Sequence, residues 1–139
     1  MVEGGGAHAE GVGTKALGMA SHAEGGNTIA KHAYQHVFGI NNIEDPSTTT
    51  AMAKGTYVEI VGNGTNASNR SNARTLDWSG NEILSGKLTV GADPTAAMDV
   101  VTKQYFETNV STLIQAALAE YGDGDTASYG YPSVNGVEF

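Results

Sequence analysis

The chain contains no cysteine and few cations, and it has no long apolar run. Without cysteine, neither disulfides nor thiolate metal sites can form. Seven Lys and Arg stand against fifteen Asp and Glu, a formal net charge of −8, so we predict no nucleic-acid partner and no attraction to an anionic membrane surface. No apolar run approaches the roughly 18 residues of a membrane span, which predicts no membrane insertion. The N-terminus lacks the basic and apolar regions of a secretory signal.

Large apolar side chains are also scarce. Leu, Ile, Val and Phe make up only 26 of the 139 residues, less than the roughly one-fifth that a compact core usually needs. In a solitary chain of this charge, such a composition is typical of disorder. A repeat, several strand patterns and a helical segment indicate order instead. We therefore expect an obligate oligomer that buries apolar surface between its chains.

A fourteen-residue repeat runs through the first third of the chain. The sequence AHAEG at 7–11 returns as SHAEG at 21–25 and, in degenerate form, as QHVFG at 35–39. A repeat this short and this rich in Gly and Ala cannot bury an apolar face alone, so each copy is predicted to be one coil of a stacked β-solenoid. Small residues alternate with His and Glu inside each coil, which predicts a short strand.

Five segments are predicted along the chain. They are the repeat coils at 1–45, a polar connector at 46–54, a small β meander at 55–92, a helix at 93–121 and a turn-rich tail at 122–139. The meander is predicted from β-forming residues separated by Gly and Asn turns. Its strands are placed at 56–61, 74–78, 82–84 and 87–90.

The predicted helix carries the pattern of a coiled coil. Asp93 and Pro94 indicate its start, since Asp can cap a helix and Pro fits the first helical position. Neither Gly nor Pro interrupts the sequence from there to Tyr121. Four apolar residues follow a four-three-four spacing: Phe106, Val110, Leu113 and Ala117. This spacing favours a seam shared by several chains over packing on the small meander.

These segments together carry a family resemblance. The SHAEG coils resemble the left-handed parallel β-roll heads of trimeric autotransporter adhesins, and they resemble phage and prophage tail-fibre proteins still more. Residues 61–65, 70–73 and 75–81 are similar to a module that follows such coils in tail proteins of phages infecting Gram-positive hosts. Asp93-Pro94 with 102–105 resembles the start of a fibre coiled coil, and 132–138 resembles a fibre junction motif.

The resemblance implies a mostly β, fibrous homotrimer with a short β-roll, a β meander and a C-terminal three-stranded coiled coil. It implies a structural part of a phage tail fibre or baseplate, located in the virion and assembled in the host cytoplasm. The implied partners are other tail or baseplate proteins and a host cell-surface glycan. Because no carbohydrate-binding tip or self-cleaving chaperone domain is recognisable, we expect a connector that helps present host-recognition elements. The alternative is a head fragment of a bacterial cell-surface trimeric adhesin.

The recurring His and Glu residues are the candidate interaction site. The predicted trimer interface comprises His8, Glu10, His22, Glu24, His36, Phe106, Val110, Leu113 and Ala117. A hydrogen-bonded ladder of His and Glu between protomers is favoured. The alternatives are a metal or anion held on the threefold axis by the imidazoles of His8, His22 and His36, or a pH-sensitive interface.

Catalytic chemistry is not indicated by the sequence. No nucleophile with an adjacent base is evident, and the repeated Glu residues do not have the unlike environments of a catalytic pair. We therefore predict no enzymatic activity, no cofactor and no bound metal. Arg70 and Arg74 are predicted either to bind carboxylates such as Asp77 or Glu82 across a subunit boundary or to be exposed. Trp78 is expected in the core of the meander rather than as a platform for a sugar.

Overall fold

A computed structural model describes residues 1–122, which are mostly strands followed by one helix at the C-terminal end. Beyond Gly122, the predicted turn-rich tail lies outside the described residues, and so does the segment 132–138. The chain divides into two compact units, one spanning Met1–Leu88 and the other beginning at Thr89.

Within the described part of the chain, all eight strands lie in the first unit. They are β1 (His8–Val12), β2 (Lys15–Ala16), β3 (His22–Gly26), β4 (Ile29–Ala30), β5 (His36–Ile40), β6 (Tyr57–Asn63), β7 (Asn72–Asp77) and β8 (Glu82–Leu84). Six of them form one sheet in the order β1-β3-β5-β6-β7-β8. The remaining two, β2 and β4, form a second, two-stranded sheet.

The repeat produces a parallel stack in which each coil repeats the one before it. In the large sheet His8 lies opposite His22, and His22 lies opposite His36. In the small sheet Ala16 lies opposite Ala30. Equivalent residues of successive coils are therefore neighbours in space, so that a side chain in one coil meets the same position of the next.

A narrow core joins the two sheets. Its fully buried members are Ala16, Ala23, Ala30, Val37 and Ile60. Three of these five are alanine because the interior between the short strands has little room. Each alanine buries little apolar surface, so the core gains less from the hydrophobic effect than a core of Leu and Ile would.

Left-handed backbone corners recur with the same period. One row has positive φ at Gly6 (70°), Ala20 (50°) and Tyr34 (61°), and a second row has it at Gly13 (70°), Asn27 (52°) and Asn41 (45°). Asn tolerates this conformation, whereas Ala and Tyr rarely adopt it. The geometry of the coil therefore imposes the corner, whichever residue occupies it.

A third row of positive φ contains the glycine of the SHAEG motif. Gly25 has a φ of 99°, and its equivalents Gly11 and Gly39 have φ values of 102° and 93°. An added Cβ at Gly25 would collide with the carbonyl oxygen of Gly39 in the following coil. Glycine is thus required here both by the backbone conformation and by the close approach of two coils.

The predicted meander is continuous with the coils. Strand β6 pairs in parallel with β5, with Ile60 opposite Val37, whereas β7 and β8 are antiparallel to their neighbours. Residues 87–90, predicted as a strand, are not in one. Strand-forming residues are not sufficient for a strand, because they must also find a partner edge.

The helix α1 (Lys103–Gly122) lies in the second unit and begins later than predicted. Thr102, not Asp93, caps it: the Thr102 hydroxyl accepts a hydrogen bond from the backbone N–H of Tyr105 at 3.0 Å. This contact satisfies one of the free amides in the first helical turn. With 20 residues, the helix is about 30 Å long.

The segment that follows Asp93 and Pro94 is held in a turn instead. The Asp99 carboxylate accepts hydrogen bonds from the backbone N–H groups of Thr95 and Ala96, both at 2.8 Å. These two donors lower the pKa of Asp99 from its ordinary value. They stabilise a local turn that competes with an earlier helix start.

Substitution of Gly25 tests whether the close stacking of the coils holds the first unit together. We expect Gly25→Ala to lower the free energy of unfolding by at least about 2 kcal/mol, because the residue is strained and also displaces the next coil. Denaturant unfolding measures the change. Gly5→Ala is the matched control, since an added Cβ there has no atom within 4 Å. Equal stability of the two variants would contradict the stacking.

Candidate functional site: a ladder of histidine and glutamate

Three imidazole rings stack along one face of the large sheet. The ring centroids of His8 and His22 are 4.9 Å apart with the planes tilted by 43°, and those of His22 and His36 are 5.0 Å apart and nearly parallel at 13°. Phe38 lies beside the last ring on the same strand, with its ring 5.1 Å from that of His36. The spacing follows the separation of hydrogen-bonded strands, about 4.8 Å.

Glutamates connect one coil to the imidazole of the next. Glu10 Oε1 is 3.6 Å from His22 Nε2, and Glu24 Oε1 is 3.4 Å from His36 Nε2. Each Glu stands two residues after the His of its own coil, on the same face of the strand. The in-register stack then places the carboxylate beside the next histidine.

An arginine binds the carboxylates at the end of the ladder nearer β6. Glu59 Oε2 is 3.9 Å from His36 Nδ1. Arg74 binds Glu59 and also Glu82, whose Oε1 lies 3.1 Å from its Nη1. Glu10, at the opposite end, has only His22 as an ion-pair partner among the described residues. The two ends of the ladder therefore differ in charge.

The predicted ladder exists within one chain. The sequence favoured His and Glu contacts between protomers, whereas the contacts observed join successive coils of the same protomer. The reason is the parallel register, which brings equivalent positions together without a second copy. The remaining predicted interface residues, Phe106, Val110, Leu113 and Ala117, lie on α1. The assignment of all nine residues to a trimer interface stays a prediction.

Both arginines make contacts within the chain. Arg74 pairs with Glu59 and Glu82, as described above. Arg70 contacts no carboxylate: its Nη1 donates to the backbone carbonyls of Asn27 and Asn42 at 2.9 and 3.0 Å. It thereby satisfies main-chain acceptors at the last corner of the stacked coils.

Trp78 is at the surface of the first unit and not in its core. The residue follows β7 and is 36% exposed. The Lys54 ammonium lies 4.2 Å from the centroid of its ring, a cation–π contact that covers one face. The alternating pattern of the strand indicated burial, but the strand ends at Asp77 and Trp78 lies beyond it.

A second polar cluster is buried and was not found from the sequence. His32, Gln35 and Asp45 are all at most 1% exposed. Gln35 Nε2 donates to Asp45 Oδ2 at 3.0 Å, and His32 Nε2 lies 4.0 Å from Asp45 Oδ1. These side chains fasten the third coil to the start of the connector that follows it.

Asp45 organises the connector through backbone donors. Its carboxylate accepts hydrogen bonds from the N–H groups of Tyr57 (2.8 Å), Ser47 (2.8 Å) and Thr56 (3.1 Å). Burial by itself raises the pKa of Asp45, but these donors outweigh it, so the pKa lies below the ordinary value of 3.8. An added Cβ at Gly55 would lie 2.5 Å from Asp45 Oδ2, so the connector passes close to the carboxylate.

Asn42 closes the small sheet in a similar way. Its side-chain Oδ1 accepts from the backbone N–H of Ile29 at 2.8 Å, and its Nδ2 donates to the Ile29 carbonyl at 3.2 Å. The side-chain amide thus replaces the main chain of a further coil and pairs the free edge of β4. An unpaired buried main-chain group would be costly here.

A sequence signal for the buried cluster was present in the repeat. His32 occupies the coil position of Gly4 and Gly18, so it breaks the fourteen-residue pattern with a large polar residue. The other three histidines keep the fourteen-residue pattern. A departure from the repeat at a buried coil position indicates local partners. His32 Nδ1 has two, the Thr50 carbonyl and the Thr49 hydroxyl, both at 3.3 Å.

Comparisons with protein-family models, curated proteins and solved structures found no match to this chain. Within residues 1–122, no helix combines the length and the apolar character needed to cross a membrane.

Replacing Asp45 tests the role of the buried carboxylate. At neutral pH we expect Asp45→Asn to lower the free energy of unfolding by about 2–3 kcal/mol, because an amide replaces one charged acceptor oxygen with a donor. The measurement is urea unfolding of both proteins across pH. The exposed neighbour provides the control variant, Glu44→Gln, which should change stability little.

The pH dependence has a defined sign. A carboxylate whose folded pKa is lowered stabilises the fold above its unfolded pKa, and this stabilisation is lost as the pH falls through the folded pKa. The difference between the wild type and Asp45→Asn should therefore be constant near neutrality and narrow below the ordinary value of 3.8. A difference that widened on acidification would contradict the assignment.

Proposed function

We propose that this chain is a structural component of a bacteriophage tail fibre or baseplate, acting as a homotrimeric connector that helps present a host-recognition element. In this proposal the stacked coils form a left-handed parallel β-roll in each protomer, and α1 forms a three-stranded coiled coil. The chain is part of the virion and contacts other tail or baseplate proteins. A trimer would present three identical copies of any contact to a surface glycan. Once one weak contact forms, the other two would form at a high effective concentration.

The observation that carries this proposal is an apolar helix face exposed in the single chain. Large side chains along α1 are exposed to between 54% at Ile114 and 81% at Tyr121; the others are Phe106, Leu113 and Leu118. Burying one such side chain is worth roughly 1.5–3 kcal/mol. Phe106, Val110, Leu113 and Ala117 have the spacing of a coiled-coil seam, so association of helices would cover much of this face.

The first unit supports the same proposal through its shape and its scarce core. Its coils stack in register along one direction, as in the β-roll proteins that the sequence resembles. Its buried apolar residues are mostly small, and several larger ones remain at the surface, among them Val12 at 78% exposure. A fibrous oligomer would use such surface as contact area between subunits.

The oligomeric state gives a direct test. Sedimentation equilibrium should yield three times the mass of one chain, and Leu113→Asp should disperse the trimer because a charge would enter the apolar seam. Gln115→Asp is the matched control, since it adds the same charge on the face of α1 opposite the seam. A folded monomeric wild type, or equal assembly of both variants, would refute the proposal.

The neighbouring genes distinguish a virion component from a bacterial surface adhesin. The alternative is a trimeric adhesin at a bacterial surface, which the coils also resemble. The genes next to the coding sequence should encode tail, baseplate or lysis proteins if the chain belongs to a virion. Neighbouring genes for secretion or cell-wall attachment would favour the adhesin instead.

A further inference from the structure

Three potential ligand atoms converge at the first rung of the ladder. His8, Glu10 and His22 each offer one potential ligand atom, and these three atoms lie within 4.8 Å of one another. The two imidazole nitrogens are 3.2 Å apart, and Glu10 Oε1 is 3.6 Å from His22 Nε2. Two stacked coils thus bring three Lewis bases close together.

A single proton does not satisfy this arrangement well. In a pair of neutral imidazoles, one nitrogen donates and the other accepts, while a carboxylate only accepts. If His22 Nε2–H donates to His8 Nδ1, no proton is left for a hydrogen bond to Glu10. If it donates to Glu10 instead, no proton is left for a hydrogen bond to His8. A cation that can bond to all three atoms matches the site better than one shared hydrogen.

We propose that His8 Nδ1, Glu10 and His22 Nε2 bind one divalent transition-metal ion of the zinc type. With metal–nitrogen bonds of about 2.0–2.1 Å and tetrahedral angles, ligand atoms are roughly 3.3 Å apart, close to the two separations observed. Imidazole nitrogens select this class of ion over magnesium or calcium, which take oxygen ligands. His8 and Glu10 are exposed and His22 is half-buried, so water can reach the fourth position.

The site is specific to this rung. Within residues 1–122, no second group of three His or acidic side chains converges in this way. One coil further along, Glu24 approaches His36, but the other nitrogen of His36 faces Glu59, and Arg74 already binds that carboxylate. Arg74 therefore competes with any cation for the Glu59 carboxylate at that end.

This binding is a property of each chain. All three ligands come from one protomer, in contrast to an ion on a threefold axis, which would need one imidazole from each of three chains. The proposal does not depend on the trimer or on a role in a virion. Its failure would leave the proposed function untouched, and the reverse also holds.

Calorimetric titration of the untagged, chelator-treated protein with Zn²⁺ tests the site. We expect one ion per chain. His8→Ala and His22→Ala should each weaken the affinity at least about tenfold, since even indirect partners of a metal are typically worth that much. His36→Ala, which removes the ring stacked on His22 but no proposed ligand, should weaken the affinity less than either of these variants. Circular dichroism establishes that each variant keeps the fold.

A second measurement needs no substitution. Imidazole ¹⁵N NMR of the wild type should show Zn²⁺ bound through Nδ1 of His8 and through Nε2 of His22, with the signals of His32 unaffected. No binding, one ion per three chains, an affinity insensitive to His8→Ala, or equal weakening by His36→Ala would each overturn the proposal. So would coordination through the other nitrogen of either ring.

Discussion

Main-chain pairing of successive coils holds the first unit in register, and most other features of that unit follow from it. The backbones approach so closely at Gly25 that no Cβ fits against the next carbonyl, and left-handed corners return in rows at fixed intervals. Because the two short sheets are so near each other, three of the five core residues are alanine, and only Val37 and Ile60 are larger. The hydrophobic contribution is correspondingly small, and hydrogen bonds must satisfy nearly every polar group that the stack encloses.

That requirement explains how the stack ends. After the third coil the chain leaves the repeat, and the free edge of the small sheet would be left without partners. Asn42 pairs that edge through its side-chain amide. The Asp45 carboxylate accepts hydrogen bonds from the backbone N–H groups of Ser47 and Tyr57. The coils are thus closed by buried polar groups in specific geometries. Such contacts define a unique arrangement more strictly than apolar packing of small residues can.

The same register also arranges the surface. Because like positions stack, imidazole lies against imidazole and each carboxylate reaches the next ring. The two ends of the ladder differ: Arg74 binds Glu59 at one end, whereas His8, Glu10 and His22 are the proposed metal ligands at the other. The second unit has a different unsatisfied feature, an apolar helix face. The proposed cation binding on the ladder and the proposed association through α1 therefore involve different residues of the chain.

The sequence by itself determined the features that repeat locally. A fourteen-residue period in a parallel stack places His8, His22 and His36 in one row, and a long stretch without Gly or Pro favours a helix near the C-terminal end. Only the tertiary structure decided where α1 begins, because Thr102 caps it while Asp99 holds the preceding turn. It also decided that Glu10 and Glu24 meet imidazoles of their own chain and that His32 is buried beside Asp45. These contacts join residues distant in sequence, and local periodicity carries no information about which distant backbone donors a side chain will meet.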